Sequence, residues 1–492
     1  MASDTTAHGH TKIAPNIPIW DPSISPAADK ETASSSAPRD GLLHAQEAAS
    51  IVTEDGETLL KTPGYMRRCL KRKVRETREN HPQVVSINSQ VQRKQDHLKD
   101  EDNVTNITGV AHALISVLAE NNDKLRCLIK GHCRIAFLDR TPLHLFCVSD
   151  WGEPEYVLRS HLDYIHQYVQ SIIPPGQILK TLQQRSNSDL SRLLEGTEVF
   201  LQNLIHSAQY DPNYLTSALQ PLKMPSTIRN LAAAALMPPS KVKSLLYILM
   251  VAEGHIITLL RPRKHTIHPS DLRLLINTLK SSTALRSIET CVPICLPKFN
   301  PTGFVHAYIS FVVDEVSLIF VSTDQEAFPK MRELKETICH SLKSDKTLDR
   351  IRESINTHSF SASAIECPDL RHFIYKSRQY VQVTYPQWEP LYKDNSDQLR
   401  RLVTLYQKLQ DGIHARSGQI SCVEVLYLGT DCEACFAWVT KSFEIYICVS
   451  PQLPISTVIS ITRCSGLLSL CSTPYTLIHP SAQEQVITEH PY

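Results

Sequence analysis

The chain has 492 residues, 42% of them hydrophobic and 21% charged, with a formal net charge of +1. That length allows two to four domains with a sizeable core, and the near-neutral balance gives no argument for nucleic acid as a partner. The 14 cysteines show neither metal-site spacing nor a disulfide framework, so reduced thiols in the cytosol are the simpler reading.

Residues 1–82 read as disordered, acidic and then basic. Residues 1–60 hold three Lys/Arg against nine Asp/Glu, and residues 61–100 hold eleven against four. The opening MASDTTAHGH has no signal-peptide pattern. The run Arg67–Arg75 is either a solvated basic linker or a juxtamembrane or partner-binding arm.

From 83 to 175 the pattern reads as a first α+β domain. Val104, Ile107, Val110, Ala111, Leu114, Ile115, Val117 and Leu118 make a helical stripe. Leu125–Ile129, Cys133–Leu138 and Leu143–Val148 are strand candidates. Glu155–Ile173 is a helix that Pro174-Pro175-Gly176 ends. Residues 176–241 read as a helical connector. Residues 242–357 read most clearly: strands Leu245–Ala252 and His255–Leu260 about a Glu253-Gly254 turn, a helix from His268-Pro269-Ser270-Asp271, three strands, and the helix Gln325–Leu342. The same order returns over 367–465, with the helix Asp397–Ile413 before three strands; 466–492 reads as an irregular tail. The expected class is α+β, with three five-stranded antiparallel sheets flanked by helices.

The motifs for a P-loop, a Gly-x-Ser-x-Gly elbow, a zinc protease and a dinucleotide fold are absent. No cofactor or metal is expected. Cys432-Glu433-Ala434-Cys435 falls where a strand is needed, so a structural role is favoured over redox chemistry. Arg261-Pro262-Arg263-Lys264-His265 is the densest charge on the folded part, between a strand and a helix start. It is either a solubilising loop or a phosphoinositide site, with Arg261, Arg263, Lys264 and His265 as ligands. Arg400, Arg401, Lys376 and Arg378 are weaker candidates of the same kind. The stripe Val104, Ile107, Ala111, Leu114, Ile115 and Leu118 is either plain core or also a partner-binding face. No apolar run reaches the ~18–20 residues of a membrane helix, so a cytoplasmic protein recruited peripherally is expected.

Several segments resemble the Mon (SAND) family of vacuolar fusion proteins, whose units are longin domains. They are Gly131–Leu138, Leu193–Thr197, Arg261–His265, His268–Leu272, Leu296–Asn300, Gly303–Tyr308 and Ser322–Phe328. The resemblance implies a Ccz-type longin partner and a guanine-nucleotide exchange factor for a late-endosomal Rab of the Rab-seven type. It implies action at endosome, late endosome and vacuole or lysosome membranes, an early-endosomal Rab upstream, and a phosphoinositide surface. A longin adaptor without exchange activity, and an enzyme using Cys432 and Cys435, are the competing readings. Two stretches depart from the family pattern. The first domain's opening hairpin would fall at Gln83–Leu98, where only Val84–Ile87 looks strand-like. Thr462–Tyr492, with Pro474, Pro480 and Pro491, shows no closing amphipathic helix.

Overall fold

A computed structural model describes residues 109–462, apart from 112, 121–122, 185–192, 241, 262–266, 282–283, 366, 368 and 415–422, together with three short strands nearer the N-terminus. Those strands are β1 (Ser50–Thr53), β2 (Thr58–Leu59) and β3 (Val84–Ser86). With β4 (Leu125–Lys130), β5 (Cys133–Arg140) and β6 (Leu143–Ser149) they form a six-stranded sheet of order β2-β1-β4-β5-β6-β3.

This corrects two expectations. Residues 50–59 were read as disordered, yet β1 pairs antiparallel with both β2 and β4. The hairpin was sought at Gln83–Leu98, yet Val84–Ser86 runs parallel to β6 at the far edge. The physical reason is that β1 has little local signal beyond Asp55-Gly56, a hairpin-turn pair. Its partner β4 lies some seventy residues on, out of reach of any local pattern.

The second domain contains β7 (Leu245–Ala252), β8 (His255–Leu260), β9 (Thr290–Ile294), β10 (Val305–Val313) and β11 (Val316–Ser322), in the order β8-β7-β11-β10-β9. Every residue of β7 and β11 is buried, because helices cover both faces of the sheet. The Glu253-Gly254 turn has positive φ at both residues, 48° and 84°, as a tight hairpin requires. The third domain repeats the plan with β12 (Leu370–Ser377), β13 (Gln382–Thr384), β14 (Val425–Gly429), β15 (Ala434–Val439) and β16 (Phe443–Val449), in the order β13-β12-β16-β15-β14. The expected α+β class, in three sheet-and-helix domains, is what the chain adopts. The first sheet carries an added sixth strand.

The connector joins the sheets. After helices Glu198–Tyr210 and Pro212–Leu215, residues 218–222 run extended between edge strands β13 and β8. Leu219 exchanges hydrogen bonds with Val381 and Val383, both at 3.0 Å. Leu222 N–H donates to the Ile256 carbonyl at 3.0 Å, and Ile256 N–H to the Gln220 carbonyl at 3.1 Å. Pro221 has no N–H to give, and this parallel pairing asks for none from it. One extended segment thereby bonds to an edge strand of each of the two sheets. The buried Arg229, from helix Ser226–Ala235, donates to the carbonyls of Leu222 and Ile257.

Arg273, on helix Pro269–Ser281, closes the joint from the other side. It donates to the carbonyls of Asn213 and Ala218 at 3.1 and 3.3 Å. Its guanidinium lies 5.1 Å from the Tyr164 ring and 5.5 Å from the Tyr214 ring. Tyr164 belongs to helix Glu155–Ile172 of the first domain, so one side chain ties all three parts together. Arg273→Met is expected to cost about 2–4 kcal/mol, because two buried carbonyls lose a charged donor. Arg332→Met, at a side chain 59% exposed, is expected to stay within about 0.5 kcal/mol of wild type. Urea denaturation of the two variants checks the contrast.

Candidate functional site on the first domain

The stripe preceding β4 is helical at 109–111 and 113–119. Ala111, Leu114 and Leu118 lie one turn apart and are at most 6% exposed, packed on Leu125, Phe137 and Phe146. Phe137 and Phe146 face each other across β5 and β6 with ring centroids 6.0 Å apart. Val110 and Ile115 are only half-buried, beside Leu128, Ile135 and Val148.

Those last three are direct cross-strand partners on β4, β5 and β6. Ile135 is two residues from Phe137, and Val148 two from Phe146, so the row shares the helix-covered face. The result is a partly buried aliphatic row running on from Ile115. Contiguous apolar surface of this kind marks protein contacts, and covering it is worth about 25 cal/mol per Å².

The structure therefore divides the predicted set. Ala111, Leu114 and Leu118 are core; Ile115 stands at the rim of the open row; Val104 and Ile107 lie outside the described residues. Leu128, Ile135 and Val148 were missed as site residues. Their apolar character was visible, but only the strand register lines them up.

The basic candidates separate in the same way. Arg261 is half-buried at the end of β8, while Arg263, Lys264 and His265 lie outside the described residues. Arg400 sits 3.4 Å from the centre of the Trp151 ring and 3.3 Å from Asp150 Oδ1, a strut between third and first domains. Arg401 grips the fully buried Glu433 with two nitrogens, at 2.6 and 3.0 Å. Both Arg400 and Arg401 thus have acidic partners within the fold.

Lys376 and Arg378 approach the buried Glu444 at 3.1 and 3.7 Å, and His414 Nε2 lies 3.3 Å from it. Burial alone would raise the Glu444 carboxyl; the His414 hydrogen bond and the Lys376 charge outweigh it and hold it at about 2.

Cysteine chemistry has little support in the geometry. Cys432 is exposed and Cys435 buried, so the two thiols do not share a site. Cys435 faces Cys448 across β15 and β16. Their hydrogen bond and burial push the Cys435 thiol well up, away from the thiolate a nucleophile needs. Among the described residues no group of three or more His, Cys, Asp or Glu side chains could hold a metal ion.

Family models described as the first, second and third longin domains of FUZ, MON1 and HPS1 match residues 72–204, 243–340 and 369–464. A protein named SAND from Takifugu rubripes is 33% identical over 353 residues, covering 71% of this chain and 67% of its own length. The chain belongs to the MON1/SAND family. Vacuolar fusion protein MON1 of Cryptococcus neoformans is 59% identical over 360 residues, covering 73% of this chain and 58% of that protein. Vacuolar fusion protein MON1 homolog A of Homo sapiens is 33% identical over 353 residues, covering 71% and 53%. The match thus spans less than two thirds of either MON1 relative. The first longin match takes in Leu128, Ile135 and Val148 of the open row.

Two outcomes follow from the site geometry. Leu114→Ala should destabilise the protein by about 2–5 kcal/mol, as a cavity in a packed core does, whereas Ile115→Asp should cost no more than about 1 kcal/mol; chemical denaturation compares them. Glu444 is depressed in the fold, so its contribution is present above the ordinary carboxylate range near 4.5 and is lost as pH falls towards about 2. Glu444→Gln should therefore lower stability at neutral pH and flatten the acid limb between those values, read from denaturation midpoints against pH.

Proposed function

We propose that this chain is a subunit of a heterodimeric guanine-nucleotide exchange factor for a late-endosomal Rab of the Rab-seven type, paired with a Ccz-type longin subunit. In this reading it serves vacuole and lysosome fusion, endosome maturation, vesicle-mediated transport and autophagy. Relatives carrying the name vacuolar fusion protein support the trafficking part. The observation that carries the rest is the aliphatic row of Ile115, Leu128, Ile135 and Val148, open on the first longin domain.

Such an activity needs no acid, base or nucleophile from this chain. The factor binds best to a GTPase whose switch segments are displaced, which loosens nucleotide and Mg²⁺. By linkage, nucleotide weakens the factor in return. Contacts through Arg273, Cys295 and Arg400 tie the first domain to its neighbours, so that contact energy at the row is spent on the partner rather than on ordering the scaffold.

No helix among the described residues is long and apolar enough to cross a membrane. In our reading the protein acts from the cytoplasm, recruited to endosome and vacuole membranes by an early-endosomal Rab and by phosphoinositides. Arg261, Arg263, Lys264 and His265 are the proposed headgroup ligands.

The deciding experiment combines the chain with its Ccz-type partner and follows release of a fluorescent nucleotide from the GTPase. Acceleration is expected, and Ile135→Asp should reduce it at least roughly tenfold, the effect of losing about 1.4 kcal/mol at the contact. Stable complexes without any acceleration would favour a longin adaptor instead. Replacing Arg261, Arg263 and Lys264 by Ala should weaken co-sedimentation with anionic vesicles, at about 1 kcal/mol per charge, and leave the circular dichroism spectrum unchanged. Unaltered sedimentation would refute the lipid assignment.

A further inference from the structure

A cavity of about 230 Å³ opens where the connector strand meets the second and third domains. Gln220 and Lys223 line it from the connector, and His255 from the first position of β8. His358 and Phe360 follow the helix Thr347–Thr357, and Gln387 follows β13. Its walls are pinned by backbone pairing: Gln387 N–H donates to the Phe360 carbonyl at 2.9 Å, and Ile256 N–H to the Gln220 carbonyl.

The charge in this cavity is one-sided. No Asp or Glu lines it. The Lys223 ammonium stands 4.5 Å over the Phe360 ring, a half-desolvated position with no carboxylate of the cavity to pair with. The His255 and His358 rings lie 5.0 Å apart. His255 Nε2 is 3.1 Å from Gln220 Oε1, and its buried Nδ1 has no hydrogen-bond partner. His358 is oriented by a contact between Nδ1 and the Ile355 carbonyl, which leaves Nε2 for a second partner. Burial, with Lys280 and His358 nearby, pushes His255 down to about 3, so the ring is neutral.

A concave site with a cation, two imidazoles and amide groups, and no acid, is complementary to a compact anion. We propose that this cavity binds a ligand of the phosphate-monoester class, with Lys223 carrying the charge and the imidazoles and amides of the lining completing its hydrogen bonds. The volume is below the usual 300–1,000 Å³ of small-molecule sites. It suits a phosphate on a small polyol; an acyl chain would stay outside. The phosphate could come from a lipid headgroup or from a soluble polyol phosphate. Because the ligand touches the connector and both domains, its binding stabilises their joint. Arg261 does not line the cavity, and the proposal does not depend on the exchange reading.

The test uses the full chain without partner or GTPase. Calorimetry and thermal unfolding are run with inorganic phosphate and with myo-inositol 1-phosphate. Co-sedimentation is run with phosphatidylcholine vesicles with and without phosphatidylinositol 3-phosphate. Each is repeated on Lys223→Met, which keeps the stem over Phe360 and removes the charge. Saturable binding of a soluble phosphate, at least tenfold weaker in the variant, supports the proposal with a soluble source. A headgroup-dependent sedimentation lost in the variant, with no soluble binding, supports it with a lipid source. Equal binding by wild type and variant, or none by wild type in either arm, overturns it. Should Lys223→Met fail to fold by circular dichroism, His358→Gln, at a half-exposed ring, carries the same comparison.

Discussion

One short extended segment holds the architecture together. Residues 218–222 present backbone groups to β13 on one side and to β8 on the other, so two sheets that would each end in an open edge share a strand instead. Backbone hydrogen bonds impose a geometry that apolar contact alone would leave loose, because they are directional. Arg229 and Arg273 then bind the carbonyls that this segment and its preceding helices leave over. The second and third longin domains are thereby bridged at their sheet edges, and the first domain is docked on the second through Tyr164 and through the Cys295 N–H to Ser171 carbonyl bond of 2.9 Å.

This frame explains where charge goes. Arg400, Arg401, Lys376 and Arg378 look alike as a list of basic residues, but all four are consumed by the scaffold. Trp151 and Asp150 take the first, Glu433 the second, and Glu444 the last two. A buried carboxylate without its cation would be costly, so these pairs are structural necessities before they are anything else. What the frame leaves uncommitted is more informative: an aliphatic row on the first domain and a positively charged cavity at the joint. Both lie at edges of the packing, where a side chain can meet another molecule without unfolding its own domain.

The second domain was legible because its signals are local. The unbroken apolar run of β7, the Glu253-Gly254 turn and the leucine stripe after Pro269 each span a few residues and agree with one another. Leu114 and Leu118 were legible as an apolar face for the same reason. The opening hairpin of the first domain was not, because Ile51 and Val52 sit amid acidic, low-complexity sequence and their partners are Leu128 and Cys127. The roles of the arginines were equally hidden: Arg400 and Asp150 stand 250 positions apart.

By itself the sequence determined the element types, the threefold recurrence of the α+β unit, the core face of the first helix and the family resemblance, all of which rest on periodicity or on contiguous motifs. Tertiary structure alone decided which side of that helix stays open, which strand completes the first sheet, how the connector joins two edges, and which cations remain without an acid. Those outcomes depend on register and on contacts between distant residues, and a one-dimensional pattern carries neither.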